Sequence, residues 1–296
     1  MRRFSAAMLA AVTFASAAIA SDVTIATAQG EVTLPEAPEK VAAYDVAAID
    51  TLNALGVSLA GIPDTLYLPD LSGLQGENIG TLFEPDLEKL AGVAPDLIIV
   101  GSRSAPQRDA VAQVATAIDM TIGADLVADA RARIDAYGAL FARPDKAEAL
   151  QAALDEKLAA LRAAAENKGN ALIVMTNGPK MAAYGDGSRF GWIHQQTGIK
   201  PAIADLSTED SHGNVLTHEA IAEANPDWLF VLDRGVAVGD EGESASQTLK
   251  SPLVEATNAW KNDHVVYLPA AELYIGGGGY TSLSKVVETL TEALSK

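Results

Sequence analysis

The chain builds one unit twice. "DLEKLAGVAPDLIIVGSR" (86–103) and "THEAIAEANPDWLFVLDR" (217–234) align without a gap at an offset of 131 residues. Glu88 falls on Glu219, Leu90 on Ile221, Pro95-Asp96 on Pro226-Asp227, Val100 on Val231 and Arg103 on Arg234. Each copy reads as a short helix, a Pro-Asp turn, a buried strand and an arginine just past the strand. Such a repeat constrains the chain to two similar lobes. Ligands of open α/β sheets bind beyond the carboxyl ends of the strands. Each arginine sits at such an end, so lobes that face each other place both in one cleft.

Between the copies lies "PDKAEALQAALDEKLAALRAAAEN" (144–167), made almost entirely of strong helix formers. Leu150, Ala153, Leu154, Leu158 and Leu161 recur at helical spacing, and Gly169 follows as a stop. A helix of about 22 residues spans about 33 Å, long for a crossover and suited to a strut. Elsewhere strand and helix patterns alternate. A hairpin is expected over 23–34, turning at Gln29-Gly30, with strands at 40–45, 95–100, 169–176, 227–233 and 264–268. Helices are expected at 49–55, 105–117, 126–142 and 281–294. The reading is α/β with mostly parallel strands: an N-terminal lobe over 21–143, a connecting helix over 144–168 and a C-terminal lobe over 169–296.

Residues 1–20 carry Arg2 and Arg3, an apolar run and Ala18-Ile19-Ala20 before Ser21, the pattern of a cleaved secretory leader. No cysteine is present, so neither a disulfide nor a lipidated cysteine plays a part. A soluble, exported, monomeric protein is expected. The formal charge is −18, and −20 once the two leader arginines are gone. That field disfavours nucleic acid and anionic lipid as partners. It also makes any cluster of arginines informative.

"AYGDGSRFGWIHQQTGI" (183–199) places Arg189 on the first turn of a helix, where the dipole disfavours a cation and a partner anion is expected. His194 reads as a packed helix histidine. "TEDSHGNVLTHEA" (208–220) holds His212 on a polar loop and His218 beside Glu219. A zinc site from His212, His218 and Glu219 is one reading, although the spacing is not HExxH. There is no GxSxG, no P-loop and no cysteine nucleophile, so an enzyme has no positive support. "ELYIGGGGYTS" (272–282) brackets four glycines with Tyr274 and Tyr280. A phosphate cradle would want a helix N-terminus with a base close by, and Lys285 lies a turn or more away. A linker would not sit between a strand and a helix. What remains is the rim of a cleft.

Taken together, "AYGDGSRFGWIHQQTGI", "DSHGN", "NPDWLFVLDRG" and "LYIGGGGYTSLSK" resemble the periplasmic ferric-siderophore-binding proteins of ABC importers, in particular the catecholate branch that takes enterobactin, petrobactin or anguibactin. The resemblance spans residues 22–295. It implies two Rossmann-like lobes joined by one long rigid helix, the class III periplasmic binding protein fold, with the ligand in the cleft between them. It implies that Arg103, Arg189 and Arg234 surround an anionic iron–catecholate complex. For tetradentate siderophores it implies that His212 and Tyr274 bind the Fe(III) directly. It also implies that Glu88 and Glu219, one per lobe, dock on arginines of the membrane permease.

The chemistry is consistent with those roles. Fe(III) favours hard oxygen donors, and imidazole is a workable second ligand. A hexadentate siderophore fills all six positions, whereas a tetradentate one leaves two for the protein. No intrinsic cofactor is expected, the ferric siderophore being cargo. The alternatives are haem or a cobalamin in the same importer class, and the zinc enzyme.

Overall fold

The computed structural model describes residues 21–207, 212–240 and 242–296. The expected leader, residues 1–20, lies outside the described residues. A hairpin opens the fold, β1 (Asp22–Thr27) pairing antiparallel with β2 (Gly30–Pro35). Its turn is fastened to the first sheet by Ala28 N–H donating to the Asp119 carbonyl at 2.8 Å. That sheet is wholly parallel. It comprises β3 (Val41–Ala43), which leads into α1 (Val46–Ala54), then β4 (Gly61–Ile62) and β5 (Glu77–Asn78). After α2 (Leu87–Val93) come β6 (Leu97–Val100), α3 (Arg108–Val111) and β7 (Ala117–Asp119). The strand order is β5-β4-β3-β6-β7. The helix expected over 105–117 is only a short turn around Pro106 followed by α3, because the chain must become β7 at residue 117.

Helix α4 (Leu126–Leu140) closes this lobe, and α5 (Pro144–Ala164) leaves it. At 21 residues, α5 spans about 32 Å. It buries Ala147, Leu150, Leu154, Leu158 and Leu161 and ends before Gly169, which at φ +82 lies just ahead of the next strand. The second sheet contains β8 (Asn170–Asn177), β9 (Lys180–Tyr184), β10 (Lys200–Pro201) and β11 (Asn214–Leu216), with α6 (Trp192–Thr197) between β9 and β10. It continues through α7 (His218–Ala224), β12 (Trp228–Asp233) and α8 (Arg234–Val238). Three one-turn helices follow, α9 (Ala245–Thr248), α10 (Pro252–Glu255) and α11 (Asn258–Lys261), then β13 (Val265–Tyr267). The order is β11-β9-β8-β12-β13, with β10 beside β8. The expectation of mostly parallel strands holds, with an antiparallel part in this sheet. Strands β8 and β9 form an antiparallel hairpin at Gly178-Pro179, and β11 adds antiparallel to β9.

The repeat is structural as well as textual. Helices α2 and α7 are N-capped by Asp86 and Thr217, bury Leu90 and Ile221, and end on left-handed Ala94 and Asn225, all pairs at the same offset. The aspartate of each Pro-Asp turn accepts a backbone N–H at the start of the neighbouring strand: Asp96 from Lys40 at 2.8 Å, Asp227 from Asn170 at 3.1 Å. The turn thus sets the register of adjacent strands in both lobes.

Two final helices, α12 (Ala270–Tyr274) and α13 (Tyr280–Leu294), complete the chain. Helix α13 packs on α5 and on α1 of the first lobe. One continuous apolar core therefore runs from Ile99 and Tyr137 through Leu154 and Leu158 to Phe230, Val286 and Leu290. Polar contacts along α5 reach both lobes: Arg131 pairs with Asp155, Lys157 with Glu288 at 2.7 Å, and Arg162 donates to Gln196 at 2.7 Å. No helix among the described residues is long and apolar enough to cross a membrane.

Candidate functional site

Helix α12 is one turn long, and the carbonyls at the end of a helix lack intrahelical donors and must find them elsewhere. They find arginines from both lobes. Arg103, just past β6, donates to the Tyr274 carbonyl at 2.7 Å and to that of Ile275 at 3.4 Å. Arg189 donates to the same Tyr274 carbonyl at 2.6 Å. The negative end of a helix dipole is where cations are favoured. Arg234 reaches the phenol, its Nε donating to Tyr274 Oη at 3.3 Å, and is steadied by Asn177 at 3.3 Å and Asp240 at 3.8 Å. The three guanidinium carbons lie 5.1, 4.6 and 5.8 Å from the centre of the Tyr274 ring.

A cavity of about 440 Å³ opens beside this cluster. Ser102, Arg103, Thr121 and Ile122 form its wall from the first lobe, and Arg189, Phe190 and Tyr274 its wall from the second. A larger hollow of about 760 Å³ lies at the edge of the first sheet, near Asn53 and Glu77. Its charged lining, Asp70 and Glu77, is acidic only, so it is not where the cations converge.

The charges of the cluster shift one another and the phenol they surround. Loss of solvating water, and then the charge of Arg103, push the Arg189 guanidinium below its usual value. Partial burial raises the Tyr274 phenol. The hydrogen bond and charge of Arg234, with Arg189 and Arg103 adding to them, outweigh that burial and leave the phenol below its ordinary value.

Arg103, Arg189, Arg234 and Tyr274 are thus brought together. Arg189 is not on the first turn of α6, as expected, but three residues before it, in a turn closed by Ser188 and Gly191. Its partner is a carbonyl and a ring rather than an anion. His212 does not line the cavity. It is exposed just before β11, and its carbonyl accepts the Tyr184 hydroxyl at 2.8 Å. Tyr184 packs edge-on against Phe190 with ring centres 4.7 Å apart, which links the His212 backbone to the cleft wall. Residues 208–211 of the same loop lie outside the described residues.

His218 bonds the Thr248 carbonyl at 2.7 Å, and among the described residues no group of three His, Asp or Glu is placed to hold a metal. The buried His194 bonds the Ile199 carbonyl at 2.9 Å, as a packed histidine does. Glu88 and Glu219 are exposed on the first turns of α2 and α7.

Sequence reasoning missed Ser102, Thr121, Phe190 and Asn177. Ser102, at φ +47, donates its N–H to Thr121 Oγ1 at 2.8 Å and so shapes the loop that aims Arg103. Buried Arg133 holds the adjoining backbone, donating to the carbonyls of Met120 and Thr121 at 3.1 and 2.8 Å.

Two α/β lobes on a long helix, with a cationic cleft between them, have known counterparts. The family described as periplasmic binding protein matches residues 41–272. This chain belongs to that family. Its lobes and helix are the class III periplasmic binding fold. The petrobactin-binding protein YclQ of Bacillus subtilis is 34% identical over 271 residues, covering 89% of this chain and 84% of YclQ. Its crystal structure superposes with a TM-score of 0.85, over 93% of this chain and 99% of that one. The ferric-anguibactin-binding protein FatB of Vibrio anguillarum is 28% identical over 279 residues, covering 88% of this chain and 84% of FatB. The periplasmic catecholate-siderophore-binding protein VctP of Vibrio cholerae is 29% identical with a TM-score of 0.83, over 92% of this chain and 100% of VctP.

The arginine cluster predicts an acidic phenol. In the near-ultraviolet difference between wild type and Tyr274→Phe, phenolate should form with a midpoint below the ordinary value near 10. Arg234→Gln should move that midpoint upward. A midpoint at or above the ordinary value would contradict the electrostatic reading of the cleft.

Proposed function

We propose that this binding protein captures an anionic ferric siderophore of catecholate type and carries it through the periplasm to an ABC permease, without chemical turnover. The observation that carries the reading is the convergence of three arginines from two lobes on one tyrosine, two on its backbone carbonyl and one on its phenol, beside a cavity sized for a small complex. The names of the relatives support the class of cargo.

The arginines act first. In an acidic chain they form the local positive field; Arg103 and Arg189 are held by neutral carbonyls and a ring, while Arg234 bonds the phenol and pairs with Asp240 at 3.8 Å. A catecholate complex offers anionic oxygens, which bind guanidinium more strongly than a carbonyl does. Arg103 and Arg189 then transfer from the Tyr274 carbonyl to the ligand. Tyr274 acts second. Its lowered phenol gives up its proton more readily, and phenolate is a hard donor suited to Fe(III). A tetradentate siderophore leaves two positions on the iron, which Tyr274 and His212 fill. His212 comes to the iron on its loop, anchored by the Tyr184 bond to its carbonyl. Siderophores are preferred over the alternative cargoes, haem or a cobalamin, because they are what the relatives' names carry.

Glu88 and Glu219 dock the loaded protein. Each helix bearing them runs antiparallel to the strand that follows, so its N-terminus lies at the same end of the sheet as that strand's C-terminus. The arginines at those strand ends meet in the cleft. That topology supports a position of both exposed glutamates on the side of the cleft, open to cationic sockets of a permease.

Fluorescence titration with ferric bis-catecholamide (tetradentate) and tris-catecholamide (hexadentate) complexes tests the ligand set. Removing an anionic donor costs at least as much as a charge-assisted hydrogen bond, so Tyr274→Phe should weaken the tetradentate complex by about tenfold or more. The hexadentate complex should be little affected. Equal affinity of mutant and wild type for the tetradentate complex would refute iron ligation by Tyr274.

The double variant Glu88→Ala, Glu219→Ala should bind both complexes normally yet fail to support uptake. Weakened binding by that variant would contradict a docking role.

A further inference from the structure

Helix α13 begins at Tyr280, and its N-cap is Gly279, which has no side chain with which to cap it. The cap comes from the other lobe. Asp50, on α1, is 1% exposed, and its carboxylate accepts the N–H groups of Thr281 at 3.1 Å and Ser282 at 2.8 Å. The neighbouring Thr51 hydroxyl accepts the N–H of Tyr280 at 3.2 Å. The positive end of the helix dipole is thereby neutralised by a buried carboxylate more than two hundred residues away in sequence.

The glycines are what permit this approach. A Cβ on Gly279 would stand 2.5 Å from Asp50 Oδ2. Gly278 has φ +88, and a Cβ there would run into Ile122 of the first lobe. The tract between Tyr274 and Tyr280 is therefore pressed against the first lobe at two points. Ile122 is itself a wall residue of the cavity. Lys285, one turn further on, adds a bond across the joint, to Asp70 at 2.7 Å, while holding Glu272 of α12 at 3.2 Å. The segment that ends α12 and carries Tyr274 is thus fixed to the lobe that carries Arg103, through a second connection independent of α5.

We propose that Asp50 is a positioning residue of the cleft: by capping α13 across the lobe boundary it welds the glycine tract to the first lobe and sets the separation between Arg103 and Tyr274. The inference rests on the reading of Tyr274 and the arginines as the ligand site, but its structural part stands without it. Asp50 touches no ligand in this account. It acts through the glycines and the α12 end.

The test uses the absence of native cysteine. Spin labels at Gln113→Cys in the first lobe and Glu223→Cys in the second, both exposed, report the distance between lobes in the ligand-free full-length protein. Asp50→Ala should broaden and lengthen that distribution and weaken the ferric bis-catecholamide complex by about tenfold, the size of one lost cap. Asp50→Asn keeps an acceptor for only one of the two N–H groups and sets its NH2 against the other, so both readouts should fall between those of wild type and Asp50→Ala. If Asp50→Ala does not fold, Gly279→Ala, which pushes against Asp50 from the other side, should broaden the distribution in its place.

A folded Asp50→Ala, or in its absence a folded Gly279→Ala, with an unchanged distance distribution would overturn the proposal. So would a broadened distribution with wild-type affinity for the complex. If wild type itself fails to bind the ferric complex, the functional reading fails, and the distance measurement still decides whether Asp50 holds the lobes together.

Discussion

Everything in the cleft depends on the carbonyl end of a one-turn helix. Helix α12 leaves its last carbonyls without intrahelical donors, and the structure supplies arginines to them from both lobes. Three guanidiniums in one cleft repel each other, and the side of Tyr274 offers them a carbonyl, a ring face and a phenol oxygen. These are good enough to hold the cations in place and weaker than an anionic oxygen. The ligand-free cleft is therefore set in advance around the shape of its anion. In the proposed reading the cations are already gathered, which limits the ordering that affinity must offset to the exchange of their partners and the arrival of His212.

The same economy of motion appears in the frame. Helix α5 is buried along five positions against both lobes, and α13 returns across it to α1. The apolar core is continuous through the boundary. A wide hinge opening would expose that core. The architecture is suited to small adjustments of lobe angle and loop position rather than to domain closure about a flexible linker.

The lobes, the strut and the arginines at the strand ends were legible because local chemistry repeats. The two helix–strand copies share caps, buried residues, left-handed C-caps and the strand-pinning aspartates, and each of these leaves a mark in the sequence. The antiparallel β8–β9 hairpin was missed although Asn177-Gly178-Pro179 is a turn signal. Its apolar strand reads equally well as parallel. The position of Arg189 was misjudged because Ser188 and the glycines around it make a turn of their own before α6 begins. The glycines after Tyr274 showed where the rim of the cleft lies. Their closest constraint, Asp50, could not be seen, since a cap supplied from a distant helix carries no spacing rule. The same contact also excludes the phosphate cradle: the helix N-terminus that would have received the anion is occupied by the chain's own carboxylate.

The most direct test of the account is the position of the iron itself. Crystals grown with the ferric bis-catecholamide complex, with diffraction collected at the iron absorption edge, give a single anomalous peak that marks the metal. That peak should lie within bonding distance of Tyr274 Oη, with Arg103, Arg189 and Arg234 on the catecholate oxygens. A peak outside the cleft, or one inside it with Tyr274 Oη still bonded only to Arg234, would contradict that arrangement.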